Sequence, residues 1–161
     1  LLKALQILRS ETKVKLTVVG SPTPNGQHAM LVKEYGLEDI VTFVGQITTE
    51  ELVKRYSASE IAVVPSLYEG FGFPAAETMS CKLPVVATTA GALPEVVGKD
   101  GDAGILVPPG DPGALATAIK HLLSDEPLRR KMGEAGRKRI EQNFTWEQAA
   151  KKVLNVYEEL L

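Results

Sequence analysis

The chain has 161 residues, 44% hydrophobic and 24% charged, which suits one ordinary globular domain with a core of its own. A formal net charge of −2 provides no general basic surface, so a nucleic-acid partner is not expected. Cys81 is the only cysteine, which rules out an intrachain disulfide, and no apolar run approaches the roughly 20 residues that span a bilayer.

In chain order, residues 1–10 have helical rhythm, and a first strand is expected over 15–20. A helix over 27–35, a strand over 40–45 and a helix over 50–57 follow. Next come a strand over 61–66, a helix over 74–81, a strand over 84–89, a short helix over 93–97 and a strand over 103–107. Thr48 with Glu51 makes a capping-box pattern, as does Thr145 with Gln148. Asp111-Pro112 reads as a cap and first helical residue for a helix over 113–124. Pro127 plays the same part for a basic helix ending near residue 142. The last segment, 145–161, spaces Trp146, Ala149, Ala150, Val153, Tyr157 and Leu160 as one helical face.

The strand candidates are rich in Val and Ile and mostly apolar on both faces, as in a parallel sheet covered on both sides. Alternation of strands with helices predicts a Rossmann-like, doubly wound α/β fold with right-handed crossovers, followed by C-terminal helices. No linker, repeat or low-complexity tract divides residues 1–161, so a single domain is expected. The turn-rich stretch over 97–104 reads as a surface loop. In a βαβ unit the helix over 1–10 would follow a strand. The sheet is therefore expected to lack its first and central strand, the chain being a piece of a longer protein.

Three other features read as structural. Arg129, Arg130, Lys131, Arg137, Lys138 and Arg139 form a basic cluster expected to be a solvated helix face. Cys81 reads as a small buried thiol. His28 and His121 are isolated, with no acid–base partner nearby in sequence. The expected localisation is cytoplasmic, with a targeting segment before Leu1 and a peripheral membrane position of the parent left open.

Chemistry concentrates where the third strand ends, at Tyr68-Glu69-Gly70-Phe71-Gly72-Phe73-Pro74-Ala75-Ala76-Glu77. In open α/β sheets, ligands bind at the carboxyl ends of strands. Glycines let backbone N–H groups approach a ligand, and the unpaired donors of a first helical turn attract anions. Pro74 suits a first helical position, which places Glu77 in the first turn. Amides around 72–75 are then free for a diphosphate, each charge-assisted bond contributing about 1.5–3 kcal/mol. Glu77 can accept from the two hydroxyls of a ribose, and Glu69 from a sugar hydroxyl. By spacing alone another reading stays open. The macrodipole favours a first-turn glutamate by about 0.3–1 kcal/mol, and Gly70 and Gly72 can simply build a turn.

The whole stretch from Ala62 to Met79 resembles the core motif, with its E-x7-E spacing, of family 4 ("group 1") retaining glycosyltransferases of the GT-B fold. Val41-Thr42-Phe43-Val44-Gly45-Gln46-Ile47 is similar to the family's V-x-F-x-G-x-V segment. Pro84-Val85-Val86-Ala87-Thr88 with Gly91-Ala92-Leu93-Pro94-Glu95 resembles the segment after the motif helix. Gly104-Ile105-Leu106-Val107-Pro108 resembles the final strand, and Phe144-Thr145-Trp146-Glu147 the start of the terminal helix. The resemblance covers nearly the whole chain and implies the C-terminal, donor-binding domain.

It further implies retaining transfer from a UDP-, GDP- or ADP-sugar, with no metal and no cofactor. Glu69 corresponds to the glutamate near the anomeric centre, and Glu77 to the ribose-binding one. Gly70, Phe71, Gly72 and Phe73 would present amides to sugar and diphosphate, and Ile47 would meet the base, with Thr49 nearby. The family's diphosphate-binding Arg and Lys would precede Leu1, as would the N-terminal acceptor domain. The isolated chain is therefore expected not to turn over an acceptor. Trp146, Tyr157 and Leu161 of the terminal helix would pack locally or stay exposed and favour self-association. Two rivals are a sugar-nucleotide epimerase of the same fold and a non-catalytic nucleotide-binding or assembly domain.

Overall fold

A computed structural model of the chain describes residues 1–20, 26–98 and 101–159. The elements are α1 (Leu2–Arg9), β1 (Leu16–Val18), α2 (Gln27–Glu34), β2 (Val41–Phe43), α3 (Thr49–Ser57), β3 (Ala62–Val64) and α4 (Phe73–Ser80). They continue through β4 (Val85–Thr88), α5 (Leu93–Val97), β5 (Gly104–Val107), α6 (Pro112–Ser124), α7 (Glu126–Asn143) and α8 (Trp146–Glu158). Among the described residues the named strands pair in parallel, as expected for strands joined by helical crossovers, beside one isolated antiparallel bridge between Gly20 and Gly45. Among the described residues no helix is long and apolar enough to cross a membrane.

The sheet comes in two pieces, β2-β1 and β3-β4-β5. Among the described residues β1 pairs only with β2, and β3 only with β4, so each keeps one unpaired edge. A cleft of about 1180 Å³ is lined by Leu16, Thr17 and Val19 on one side and Ala62, Val63 and Val64 on the other. The cleft separates the unpaired edges of β1 and β3. It also explains the brevity of the ladders, three residues in β1, β2 and β3. β4 has a partner on both sides, runs four residues and is buried throughout.

The two faces of the sheet carry separate cores. One gathers Leu5 and Leu8 of α1, Val86 of β4, and Leu115, Ile119 and Leu122 of α6. The other gathers Ala75 and Met79 of α4, Val85 and Ala87 of β4, Leu93 and Val96 of α5, and Ile140 of α7. Adjacent residues of β4 thus face opposite cores, the period-two signature of a central strand. The β1–β2 pair departs from the expected two-sided cover, because Thr17 and Thr42 are exposed.

Several local expectations need correction. Thr48 Oγ1 accepts from Glu51 N–H at 3.3 Å, but the Glu51 carboxylate pairs with Arg55 at 3.0 Å and does not return to the cap. The cap of α7 is Asp125, whose carboxylate accepts from Leu128 N–H at 2.8 Å, with Pro127 inside the first turn.

The basic cluster is only partly a solvated face. Arg129 donates to the Leu122 and Leu123 carbonyls at 2.7 and 2.8 Å, and Arg139 to Val96 and Glu95 at 2.8 and 2.6 Å. Those guanidiniums donate to carbonyls in the last turns of α6 and α5, the Leu122 carbonyl also accepting from the Asp125 N–H at 3.3 Å. On α8, Trp146 is 93% exposed and Val153, Leu154, Val156 and Tyr157 are also open, so local packing does not occur for Trp146 or Tyr157. Leu160 and Leu161 lie outside the described residues, as do Lys99 and Asp100 of the expected loop.

Candidate active site

The turn between β3 and α4 is built by one backbone inversion. Gly72 adopts φ +97° and ψ +44°, a left-handed conformation costly for a residue with a Cβ, and serves as the N-cap of α4. A Cβ there would also meet Leu93 Cδ2 at 2.9 Å. Because the helix starts at Phe73, Pro74 is its second residue and Glu77 its fifth. Glu77 is therefore in the second turn and not the first, and the helix-dipole account of its placement falls away. No side chain caps α4, which leaves the N–H groups of its first turn without a side-chain acceptor.

Glu69 is anchored twice. Ser66 Oγ donates to Glu69 Oε2 at 3.1 Å, and the Glu69 carbonyl accepts from Ala92 N–H at 3.1 Å. Ser66 is itself held by Thr88 Oγ1, which donates to its carbonyl at 2.6 Å. Gly91, with φ +54°, permits the second anchor, since a Cβ at that position would collide with the Glu69 carbonyl. The β4–α5 loop therefore braces the backbone of Glu69, and the end of β3 braces its carboxylate.

Glu77 is exposed, and its anchor comes from another element: Tyr56 Oη on α3 donates to Glu77 Oε2 at 3.2 Å. Burial, reinforced by the Glu77 charge and hydrogen bond, pushes the Tyr56 hydroxyl up to about 12. Cys81, half-buried at the end of α4, is pushed up by burial, Arg137 opposing the shift and Glu77 adding to it. A thiol held protonated is a poor nucleophile.

The remaining expected residues divide by exposure. Phe71 turns inward, its ring 4.9 Å from Phe73 and 5.9 Å from Phe144, and packs against the second core. Phe73 is 68% exposed, and Gly70 is exposed beside it. Ile47 lies half-buried in the loop after β2, between Gly45 and the Thr48 cap.

Tyr56 has no part in the sequence reading, and Ser66, Thr88 and Gly91 appear there only within motif segments. Their signal in the sequence is positional, since each lies in or beside a segment that a parallel fold stacks around the β3–α4 turn. Neither glutamate lines the cavity of about 650 Å³ bounded by Leu16, Val18, Pro65, Leu67, Val107 and Leu115. Its walls come from both sides of the interrupted sheet, so it belongs to that interruption.

Fold and turn together define a Rossmann-like α/β domain with an uncapped helix start and two braced carboxylates beyond the end of the parallel edge strand β3. The profile of the family described as "Glycosyl transferases group 1" matches residues 1–139. The MMP alpha-(1->4)-mannosyltransferase of Mycolicibacterium hassiacum is 41% identical over 161 residues, 100% of this chain and 39% of that protein. Sucrose-phosphate synthase of Thermosynechococcus elongatus superposes with a TM-score of 0.85 at 39% identity, covering 99% of this chain and 42% of that one. S. aureus TarM, solved in complex with UDP among other ligands, gives a TM-score of 0.85 at 26% identity over 96% of this chain and 31% of that one.

The chain belongs to the group 1 glycosyl transferase family, and its α/β fold is part of the GT-B architecture of those enzymes. It spans only part of the curated relatives it matches, 39% and 41% of the length of two mannosyltransferases and 29% of a D-inositol 3-phosphate glycosyltransferase.

Proposed function

We propose that this chain is the donor-binding domain, over 1–161, of a glycosyltransferase that transfers a hexose from a nucleotide-diphosphate sugar. The observation that carries the reading is the braced turn. A left-handed Gly72 opens an uncapped helix at the end of β3, with Glu69 held on one side and Glu77 on the other. Amides of Gly70, Phe71, Gly72 and Phe73 would meet sugar and diphosphate, where N–H donors stabilise the charge that grows on a leaving diphosphate. Glu77 would accept from the ribose hydroxyls and Ile47 would border the base. Glu69, as the catalytic carboxylate, would lie against the donor sugar, where negative charge stabilises a developing oxocarbenium centre.

TarM's complex with UDP favours a uridine nucleotide as the first donor to try, before GDP or ADP. Retention, independence from metal and absence of a further cofactor rest on the family resemblance. Anomer analysis of the full-length enzyme's product, with and without chelator, tests them. An N-terminal acceptor domain and a cytoplasmic, membrane-peripheral setting belong to the same reading. The exposed apolar face of α8 would serve contact with that domain or with a second copy. The isolated chain binds donor without turnover.

Calorimetry with UDP, GDP and ADP, their sugar conjugates and pyrophosphate is the direct test. Glu77→Ala is expected to weaken the preferred nucleoside diphosphate about 10-fold while leaving pyrophosphate within about 2-fold, as loss of one charge-assisted contact requires. Failure of every nucleotide to bind, with the upstream segment restored as well, would remove the donor-site assignment.

A further inference from the structure

Glu77 is exposed on the second turn of α4, and nothing on its own helix holds its carboxylate. Its one side-chain hydrogen-bond partner among the described residues, Tyr56, is 21 residues earlier in sequence and comes from α3. We propose that Tyr56 is a positioning residue for the ribose-binding carboxylate, fixing the orientation of Glu77 through Oε2 so that the pair of oxygens faces a vicinal diol. This inference rests on the donor-site reading above.

The chemistry of the carboxylate makes the arrangement workable. An ionised carboxylate offers about four acceptor positions on its two oxygens. The Tyr56 hydroxyl takes one of them on Oε2, leaving one there and two on Oε1, enough for both hydroxyls of a ribose. A free glutamate on a helix surface samples several χ rotamers, and each one frozen on binding lowers affinity. The Tyr56 bond restricts that freedom in advance.

Placement supports the assignment. α3 buries no residue completely, so packing alone does not hold it rigidly against α4. Tyr56, on its last turn, is half-buried in the cleft that Pro74 and Thr78 of α4 also line. α3 begins directly after the loop that carries Ile47. A bond from α3 to Glu77 thus links the base side and the ribose side of the proposed site. The phenol stays protonated far above neutrality, so its hydroxyl remains a donor throughout the working pH range.

The test is calorimetry on the chain with UDP, GDP and ADP, with their 2′,3′-dideoxy counterparts, and with pyrophosphate. The variants are Tyr56→Phe, Glu77→Ala and the double variant, each checked for an unchanged thermal midpoint with no nucleotide present. Tyr56→Phe is expected to weaken the best ribonucleotide by about 3- to 10-fold, the range of one ordinary hydrogen bond. It should leave the dideoxy nucleotide and pyrophosphate within about 2-fold, and add nothing in the Glu77→Ala background.

Equal losses for ribo and dideoxy nucleotides would show a merely structural tyrosine and overturn the proposal. Full affinity in Tyr56→Phe, with Glu77→Ala still weakened, overturns the positioning role and leaves the donor site standing. If no nucleotide binds even with the upstream segment restored, or if Glu77→Ala changes nothing, the donor-site reading falls and this inference with it.

Discussion

The two pieces of the sheet are stabilised unequally. Around β3-β4-β5, a strand buried throughout lies between cores that include Met79, Leu93, Val96 and Leu122, none more than 1% exposed. Around β2-β1, one face carries exposed Thr17 and Thr42, and α3 contributes no fully buried residue. The first region holds Glu69, Gly72 and Glu77, and the second holds Ile47 and Tyr56. A carboxylate must keep its place to within a fraction of an ångström to be useful, whereas a loop that borders a base tolerates more movement. The difference places the demanding half of the proposed site on the better-packed half of the fold.

The sharpest way to break this contrast is at Gly91. Gly91→Ala forces a Cβ into the Glu69 carbonyl in a left-handed backbone, and is expected to destabilise by about 3 kcal/mol and to displace Glu69. Urea unfolding and donor calorimetry would detect both effects, and a neutral result would mean the β4–α5 loop does not brace the turn.

A core pair gives the next largest separation. Met79→Ala, at a site 0% exposed, should cost about 2–5 kcal/mol, and Val53→Ala on α3, at 44% exposure, less than about 1 kcal/mol. Similar losses at both sites would abolish the distinction between the regions.

The smallest effect lies at their junction. Tyr56 releases its proton near 12 in the folded chain and near 10 when unfolded. Between those values the unfolded chain binds fewer protons than the native one. Stability from this group is therefore complete below pH 10 and is lost as pH rises through 12. Urea midpoints at pH 9 and pH 11 should fall further for the wild-type chain than for Tyr56→Phe. Equal falls would mean the Tyr56–Glu77 bond does not join the two regions in solution.

Much of the fold was legible because its signals are local. Apolar runs alternating with amphipathic segments place all five strands and the helices between them, and Asp111 and Thr145 cap helices where expected, accepting from Ala114 N–H at 2.9 Å and Gln148 N–H at 3.2 Å. The expected parallel sheet comes in two pieces, β1-β2 and β3-β4-β5. The errors came where longer-range contacts override local preference. A first-turn Glu77 follows from giving Pro74 the first helical position, whereas the left-handed Gly72 starts the helix one residue earlier. The basic segment reads as a solvated face because its arginines have no visible acceptors in sequence, yet Arg129 and Arg139 close the ends of helices that only folding brings near.

By itself the sequence determined the α/β class, the order of elements, the turn bearing Glu69 and Glu77, and the family these motifs resemble. All of these depend on residue spacing, which survives without knowledge of contacts. The tertiary structure alone decided how the Glu69 backbone and the Glu77 carboxylate are held. Ser66 holds the Glu69 carboxylate from three residues away, whereas Ala92 meets the Glu69 carbonyl, Thr88 meets the Ser66 carbonyl and Tyr56 reaches Glu77 because a parallel sheet brings together segments distant along the chain. Hydrogen-bond geometry acts over about 3 Å. Spacing in sequence carries no such distance until the strands are paired.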